Sequence, residues 1–120
     1  MRSSELLKQI GNIEKDIILL EEELEAFEKS ISRTPTKAVM SKLLAIKRKI
    51  EKEITEQAKL KIEAYNIVQN MNNDIFRSVL VYRYICLHTV EETAEILNIS
   101  PRHISRICTK ALKKIDEQYN

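Results

Sequence analysis

The chain has 120 residues, of which 43% are hydrophobic and 32% charged, and its formal net charge is +2. This balance allows one folded domain, or one domain with an appendage, around a modest core. One glycine, two prolines and 5% aromatic residues argue against hairpins and β-sandwiches, and abundant leucine, isoleucine, lysine and glutamate are typical of long helices. We therefore expect an all-α protein.

The sequence carries no signal for a membrane or for secretion. Apolar runs are all much shorter than a membrane span, and the segment MRSSELLKQIG lacks the apolar core of a signal peptide. Two cysteines, Cys86 and Cys108, are too few for a disulfide framework. We expect a cytoplasmic protein with reduced thiols and no membrane partner.

The N-terminal part follows a heptad pattern. Its apolar residues are separated by alternating steps of four and three, at Leu6, Ile10, Ile13, Ile17, Leu20, Leu24, Phe27 and Ile31. This spacing predicts a helix with a narrow apolar seam, as in a coiled coil. The helix should end near Ser32, where Thr34 can cap a second helix and Pro35 suits its first turn.

The second helix should run from about residue 35 to 72. Its apolar residues first continue the heptad steps, at Val39, Leu43, Ile46 and Ile50. They then change to steps of four, four and three, at Ile54, Ala58, Ile62 and Tyr65. The change reads as a stutter, which would loosen the supercoil.

Opposite charges favour antiparallel pairing of these two helices. Residues 1–31 hold 4 basic and 8 acidic side chains, and residues 32–73 hold 9 basic and 4 acidic. A short connection between helices of opposite charge predicts a helical hairpin over residues 1–73. We expect the basic run at residues 47–49 to be a solvated face opposite the acidic helix; the alternative is contact with DNA phosphates.

Several apolar residues lie outside the narrow seam. They are Leu7, Ile18 and Leu19 on the first helix, and Met40 and Leu44 on the second. A second chain could cover Ile18, Leu19, Met40 and Leu44 to form a four-helix homodimer. The alternative is that they are ordinary surface residues.

Residues 74–120 predict a three-helix domain. Asn72, Asn73 and Asp74 mark the boundary, because they are poor inside helices and good as caps. A helix should follow to about residue 87. One apolar face is expected at Ile75, Val79, Tyr82 and Cys86, broadened by Leu80 and Ile85.

The next segment has the capping chemistry of a helix-turn-helix. Thr89 and Glu92 fit a capping box, and the helix that follows should bury Val90, Ala94 and Leu97. Asn98 suits the left-handed position that ends a helix. Ser100 can cap the last helix, with Pro101 in its first position. Two short helices around a three-residue turn are the signature of the motif.

The last helix is apolar on one side and basic on the other. Its inner stripe comprises Ile104, Ile107, Cys108, Ala111, Leu112 and Ile115. A DNA recognition helix reads bases near its N-terminus and meets phosphates further along. The base-reading candidates are Arg102, His103, Ser105 and Arg106, and the phosphate-binding candidates are Thr109, Lys110, Lys113 and Lys114. The alternative is a solvated basic face.

The segment TVEETAEILNISPRHISRICTKALKKI resembles region 4 of sigma-70-type RNA polymerase sigma factors. The shared residues are the Thr-x-Glu-Glu opening, Ala94, Leu97, Ile99-Ser100, Ile104, Arg106-Ile107 and Lys110-Ala111-Leu112, with YRYI upstream. The whole layout is similar to small phage transcriptional regulators of the ArpU/RinA type. The resemblance implies a DNA-binding regulator of phage or prophage genes. Its expected partner is double-stranded DNA, and host RNA polymerase is a candidate second partner.

Two departures from sigma factors limit this expectation. Pro101, Arg102 and His103 are not the usual sigma residues, which leaves the recognised DNA sequence open. The first 73 residues contain only two aromatic residues, Phe27 and Tyr65. A promoter-melting domain needs exposed aromatics, so we do not expect the chain to act alone as a housekeeping-type sigma factor.

Other chemistry has little support in the sequence. Cys86 with His88, and His103 with Cys108, could suggest zinc, but residues 103 and 108 lie about 140° apart on a helix. There is no glycine-rich phosphate loop and no pairing of a nucleophile with a base. We expect no metal, no cofactor and no enzymatic activity. Two alternatives stay open: a phage DNA binder like a terminase small subunit, and a polymerase-docking protein without sequence-specific DNA binding.

Overall fold

The structure, a computed structural model, describes residues 2–31, 33 and 36–119. These residues form an all-α fold, as predicted. The helices are α1 (Ser3–Ser30), α2 (Lys37–Gln69), α3 (Asp74–Leu80), α4 (Val90–Leu97) and α5 (Pro101–Tyr119), and α3 continues into a π-helical segment, Val81–Ile85. Within the described part of the chain, no helix is both long enough and apolar enough to cross a membrane.

The chain packs as two compact units. The helix-turn-helix unit comprises residues 2–11 and 59–119, and the hairpin unit comprises residues 12–58. The start of α1 and the end of α2 therefore belong with the C-terminal helices rather than with the hairpin. The predicted functional boundary between residues 73 and 74 stays a prediction. The boundaries between the two packing units lie elsewhere, after residues 11 and 58.

The hairpin unit pairs α1 and α2 in antiparallel fashion. Gln57 Nε2 donates a hydrogen bond to Glu14 Oε2 at 2.7 Å, and Lys47 Nζ lies 3.6 Å from Glu28 Oε1. As the residue number rises along α1, the number of the contacting residue on α2 falls, which shows that the helices are antiparallel. Between the helices the seam buries Ile17, Leu43 and Ile50, which were all predicted there.

The predicted stutter in α2 is wrong. Ile54 is 47% exposed, whereas Gln57 is only 6% exposed. The inward positions after Ile50 are Glu53, Gln57, Leu60, Ala64 and Ile67, which keep the alternating steps of three and four. A polar residue can occupy the seam at position 57 because Glu14 accepts its hydrogen bond. The prediction assigned exposed apolar residues such as Ile54 to the seam, whereas the seam keeps its heptad spacing.

The connection between the long helices lies partly outside the described residues. The predicted roles of Thr34 and Pro35, and the predicted end near Ser32, fall on residues that the structure does not describe. Thr36 supplies a cap: its Oγ1 accepts a hydrogen bond from the backbone N–H of Val39 at 3.2 Å.

The helix-turn-helix unit has a core shared by several helices. Leu6, Leu7 and Ile10 of α1 pack with residues from the end of α2, from α3 with its π-helical segment, and from α5; these are Ala64, Val68, Met71, Leu80, Ile85, Ala111 and Ile115. Leu7, predicted to lie outside the seam, is 1% exposed. It lies outside the seam, as predicted, but it is not left for a second chain, because the core of the helix-turn-helix unit covers it.

The π-helical segment changes which residues of its helix face inward. The backbone N–H of Cys86 bonds to the carbonyl of Val81, five residues back, at 2.8 Å. One extra residue per turn rotates the helix, so Ile85 is buried and Cys86 is exposed. The predicted inward position of Cys86 is therefore wrong. The segment leads into Leu87, which has a positive φ of 61° and contacts the core.

Candidate nucleic-acid interface

The turn between α4 and α5 is held by local hydrogen bonds. Asn98 adopts the left-handed conformation, with φ 56° and ψ 46°, and ends α4. Ser100 Oγ accepts a hydrogen bond from the N–H of His103 at 3.2 Å, and Pro101 is the first residue of α5. The three predicted roles are confirmed. They fix how α5 leaves the turn.

The start of α4 carries the predicted capping box. Thr89 Oγ1 accepts from the N–H of Glu92 at 3.0 Å, and the Glu92 carboxylate accepts from the N–H of Thr89 at 2.9 Å. The hydrogen bond from the Thr89 N–H is the largest of the effects that lower the pKa of the Glu92 carboxyl. Thr93 is fully buried, and its hydroxyl donates to the carbonyl of Thr89 at 2.9 Å. Sequence reasoning missed Thr93 because its polarity hid a buried position.

One side of α5 is firmly packed. Ile104, Ala111 and Ile115 have no exposed surface, and Ile107 and Cys108 are nearly as buried. Val79 and Ala94 close the core beneath the first half of the helix. Burial of this stripe, as predicted, fixes which side of α5 is left to meet a ligand.

The opposite side of α5 is an exposed polar row. At 100° per residue, Arg102, Arg106, Thr109 and Lys113 fall within an arc of about 60°, opposite the buried stripe. The row is about 16 Å long at 1.5 Å per residue. Ser105 lies about 40° beyond one edge of this arc, and His103, Lys110 and Lys114 lie about 80–120° from Arg102. All eight predicted residues are exposed.

The cations of this row are available to a ligand. Among the described residues, none of the five cations of α5 is within ion-pair distance of a carboxylate. Thr109 differs from them, since its hydroxyl donates to the carbonyl of Ser105 at 3.2 Å. As placed, Thr109 can accept from a partner but must rotate before it donates to a phosphate.

Residues 73–117 match the family Sigma-70, region 4. This segment is a sigma-70 region 4-like helix-turn-helix. Neither the curated proteins nor the solved structures gave a match. The matched segment covers less than half of the chain, and it suggests a DNA-binding, transcription-related function.

The contacts of Arg83, in the π-helical segment before α4, were not predicted from the sequence. Arg83 Nη1 donates to the carbonyl of His88 at 2.5 Å, and its guanidinium lies 5.5 Å from the ring centroid of Tyr84. The hydrogen bond ties the π-helical segment to the loop that leads into α4. The sequence YRYI contributes to the region 4 resemblance, but nothing in it indicates a π-helical turn.

A second missed contact joins α1 to α5. Asp116 accepts two hydrogen bonds from Ser4, one from its N–H at 2.9 Å and one from its hydroxyl at 2.5 Å. Burial raises the pKa of Asp116, but these hydrogen bonds and the charges of Arg2 and Lys8 outweigh it and lower the pKa. The two partners are 112 positions apart, so no local pattern could have paired them.

The four predicted dimerisation residues lie in the hairpin unit. Ile18, Leu19, Met40 and Leu44 are each about half exposed. Met40 and Leu44 line one groove of the hairpin unit, with Leu43 and the stem of Lys47. Leu19 lines another groove, among acidic and basic side chains. All four are exposed as expected, and Leu19 lines a different groove from Met40 and Leu44.

The histidines and cysteines do not converge on α5. His103 is exposed and Cys108 is buried, so they face different sides of the helix. Burial raises the pKa of the Cys108 thiol, which fits its place in the core. Within the described residues, no group of three or more metal-binding side chains comes together.

Proposed function

We propose that this chain is a phage or prophage transcriptional regulator that reads promoter or operator DNA through α5. The observation that carries the proposal is the exposed row of arginine, lysine and hydroxyl side chains on the second helix of a region 4-like motif. α5 presents donors along one side while the other side is buried. A helix that lies in a major groove needs one side packed against its own domain and the other side free to contact DNA.

The base-reading residues in this proposal are those of the first turn and a half. Arg102, His103, Ser105 and Arg106 lie next to the capped turn, where a recognition helix enters the groove. An arginine there can donate two hydrogen bonds to a guanine edge. Lys110, Lys113 and Lys114 follow where the helix leaves the groove, and their charges suit phosphates, as does Thr109 once its hydroxyl rotates.

A homodimer completes the proposal. The hairpin unit exposes Ile18, Leu19, Met40 and Leu44, and a second copy could cover part of this surface. Two recognition helices could then read half-sites about one helical turn apart. Host RNA polymerase is the further partner that the region 4 likeness suggests.

DNA reading is tested by comparing two variants of the full chain. Bound sites are first selected from fragmented host and phage DNA, and affinities are then measured on a selected site and on random DNA. Arg106→Ala should lose about 1–3 kcal/mol on the selected site and little on random DNA. Lys113→Ala should weaken both alike. Equal losses on both DNAs for both variants would refute the assignment of base reading to Arg106.

The dimer is tested by light scattering at micromolar protein. The wild-type chain should run as a dimer, and Met40→Glu with Leu44→Glu should shift it to a monomer. Ile96→Glu is the matched control, since Ile96 is 47% exposed on α4, outside the hairpin unit. A wild-type monomer, or equal dissociation by the control, would contradict a dimer built by the hairpin.

A further inference from the structure

The first turn of α1 lies beside the C-terminal end of the polar row on α5. Ser4 donates both of its hydrogen bonds to Asp116. On the helical projection, Asp116 lies about 20° from Thr109 and about 60° from Lys113. It therefore continues the exposed row rather than the buried stripe. Whatever approaches Lys113 along this side next meets the start of α1.

Two cations, Arg2 and Lys8, flank that turn. The carbonyl of Arg2 accepts hydrogen bonds from the N–H groups of Glu5 and Leu6, at 3.0 and 3.1 Å, which fixes the backbone of Arg2 against α1. Lys8 is one turn beyond Ser4, about 40° from it around the helix. Both side chains are exposed. Their charges reach the Asp116 carboxyl, because they help to hold its pKa low against the opposing effect of burial.

Neither cation is held in an ion pair with another described residue. Among the described residues, Arg2 and Lys8 form no ion pair within 4 Å. Both carboxylate oxygens of Asp116 accept from Ser4, and Asp116 attracts the two cations without forming an ion pair with either. Two exposed cations at the end of a basic row are suited to a polyanion that passes along the row.

We propose that Arg2 and Lys8 bind phosphates of the same DNA duplex, extending the footprint of α5 beyond the region 4-like motif. The inference rests on the proposed DNA-reading function of α5. The Ser4–Asp116 hydrogen bonds hold the start of α1 against the recognition helix, so these contacts are made without ordering a free arm. They carry no sequence information, since they touch only the backbone.

The salt dependence of binding to random-sequence DNA tests the inference. The full chain is titrated against a duplex of about 30 base pairs at several salt concentrations, and the slope of log affinity against log salt is compared. Arg2→Gln with Lys8→Gln should reduce the magnitude of the slope by about 2 per chain. Arg2→Lys with Lys8→Arg keeps both charges and should leave the slope unchanged.

Two further variants separate this inference from its alternatives. Lys15→Gln with Lys52→Gln removes the same charge from the hairpin unit, and an equal loss of slope there would overturn the inference in favour of a net-charge effect. Lys110→Gln with Lys113→Gln tests α5 itself. A reduced slope for this pair, with no change for Arg2→Gln and Lys8→Gln, overturns the α1 contacts and leaves the proposed function standing. No change in either pair overturns both.

Discussion

The hairpin unit and the helix-turn-helix unit bury their helices differently. The largest fully buried side chains, including Leu7, Ile104 and Ile115, all belong to the helix-turn-helix unit. In the hairpin unit the least exposed apolar residue is Ile17, at 4%. Two helices can cover only a narrow seam on each other, whereas several crossing elements can enclose a side chain completely.

The difference agrees with the separate roles proposed for the two regions. The enclosed core holds α5 rigidly, which suits a helix that must present side chains in a fixed pattern. The hairpin unit leaves Ile18, Leu19, Met40, Leu44 and Ile54 about half exposed. Exposed apolar surface of this kind is what a partner chain would cover.

The largest expected effect tests the claim that the helix-turn-helix core is the stronger one. Ile115→Ala leaves a cavity among residues from α1, α2, α3 and α5 and should cost about 3–5 kcal/mol of unfolding free energy. Ile17→Ala should cost about 2–3 kcal/mol, since the seam can relax and admit water. Urea denaturation followed by circular dichroism measures both. An equal cost would show that the hairpin is as tightly packed as the core.

A smaller effect concerns the polar contact in the hairpin seam. Gln57→Ala removes the donor to Glu14 and should cost about 1–2 kcal/mol. Replacing both residues by leucine should cost less than Gln57→Ala, because the Glu14 carboxylate is then not left without its donor. Lys47→Ala, which breaks a surface ion pair on the same helices, should cost less than about 1 kcal/mol. A strongly destabilised double variant would show that the polar pair is essential to the hairpin.

The smallest effect links the start of α1 to α5. The pKa of Asp116 is lowered from its ordinary value of 3.8, so its contribution to stability is complete above that pH and is lost as the pH falls through the folded-state pKa. The difference in unfolding free energy between the wild type and Asp116→Asn should therefore shrink below about pH 3.8. Glu117→Gln is the control, because the Glu117 side chain makes no hydrogen bond to another described residue. A difference that does not change with pH would contradict the anchoring role.

Local chemistry made the motif and its face readable from the sequence. Thr89, Asn98, Ser100 and Pro101 act on neighbours within a few positions, so their roles follow from residue type and spacing alone. The buried stripe of α5 follows from the helical period in the same way. These residues also fix the direction of the exposed row, which is why all eight candidate DNA contacts are on the surface.

The errors occur where distant residues decide the outcome. Gln57 enters the seam because Glu14 lies opposite, Leu7 is covered by helices far along the chain, and Cys86 turns outward because a π-helical turn rotates it. None of these follows from helical periodicity. Burial of a side chain depends on which element lies above it, and a sequence pattern names a face without naming its neighbour.

The sequence by itself determined that the chain is helical, where its helix-turn-helix begins, and which side of α5 is exposed, because capping and periodicity are local. Only the tertiary structure decided that the start of α1 packs against α5. The Ser4–Asp116 hydrogen bonds join residues 112 positions apart, and closing such a loop depends on the combined burial of the shared core rather than on either residue. That contact brings Arg2 and Lys8 to the end of the recognition helix.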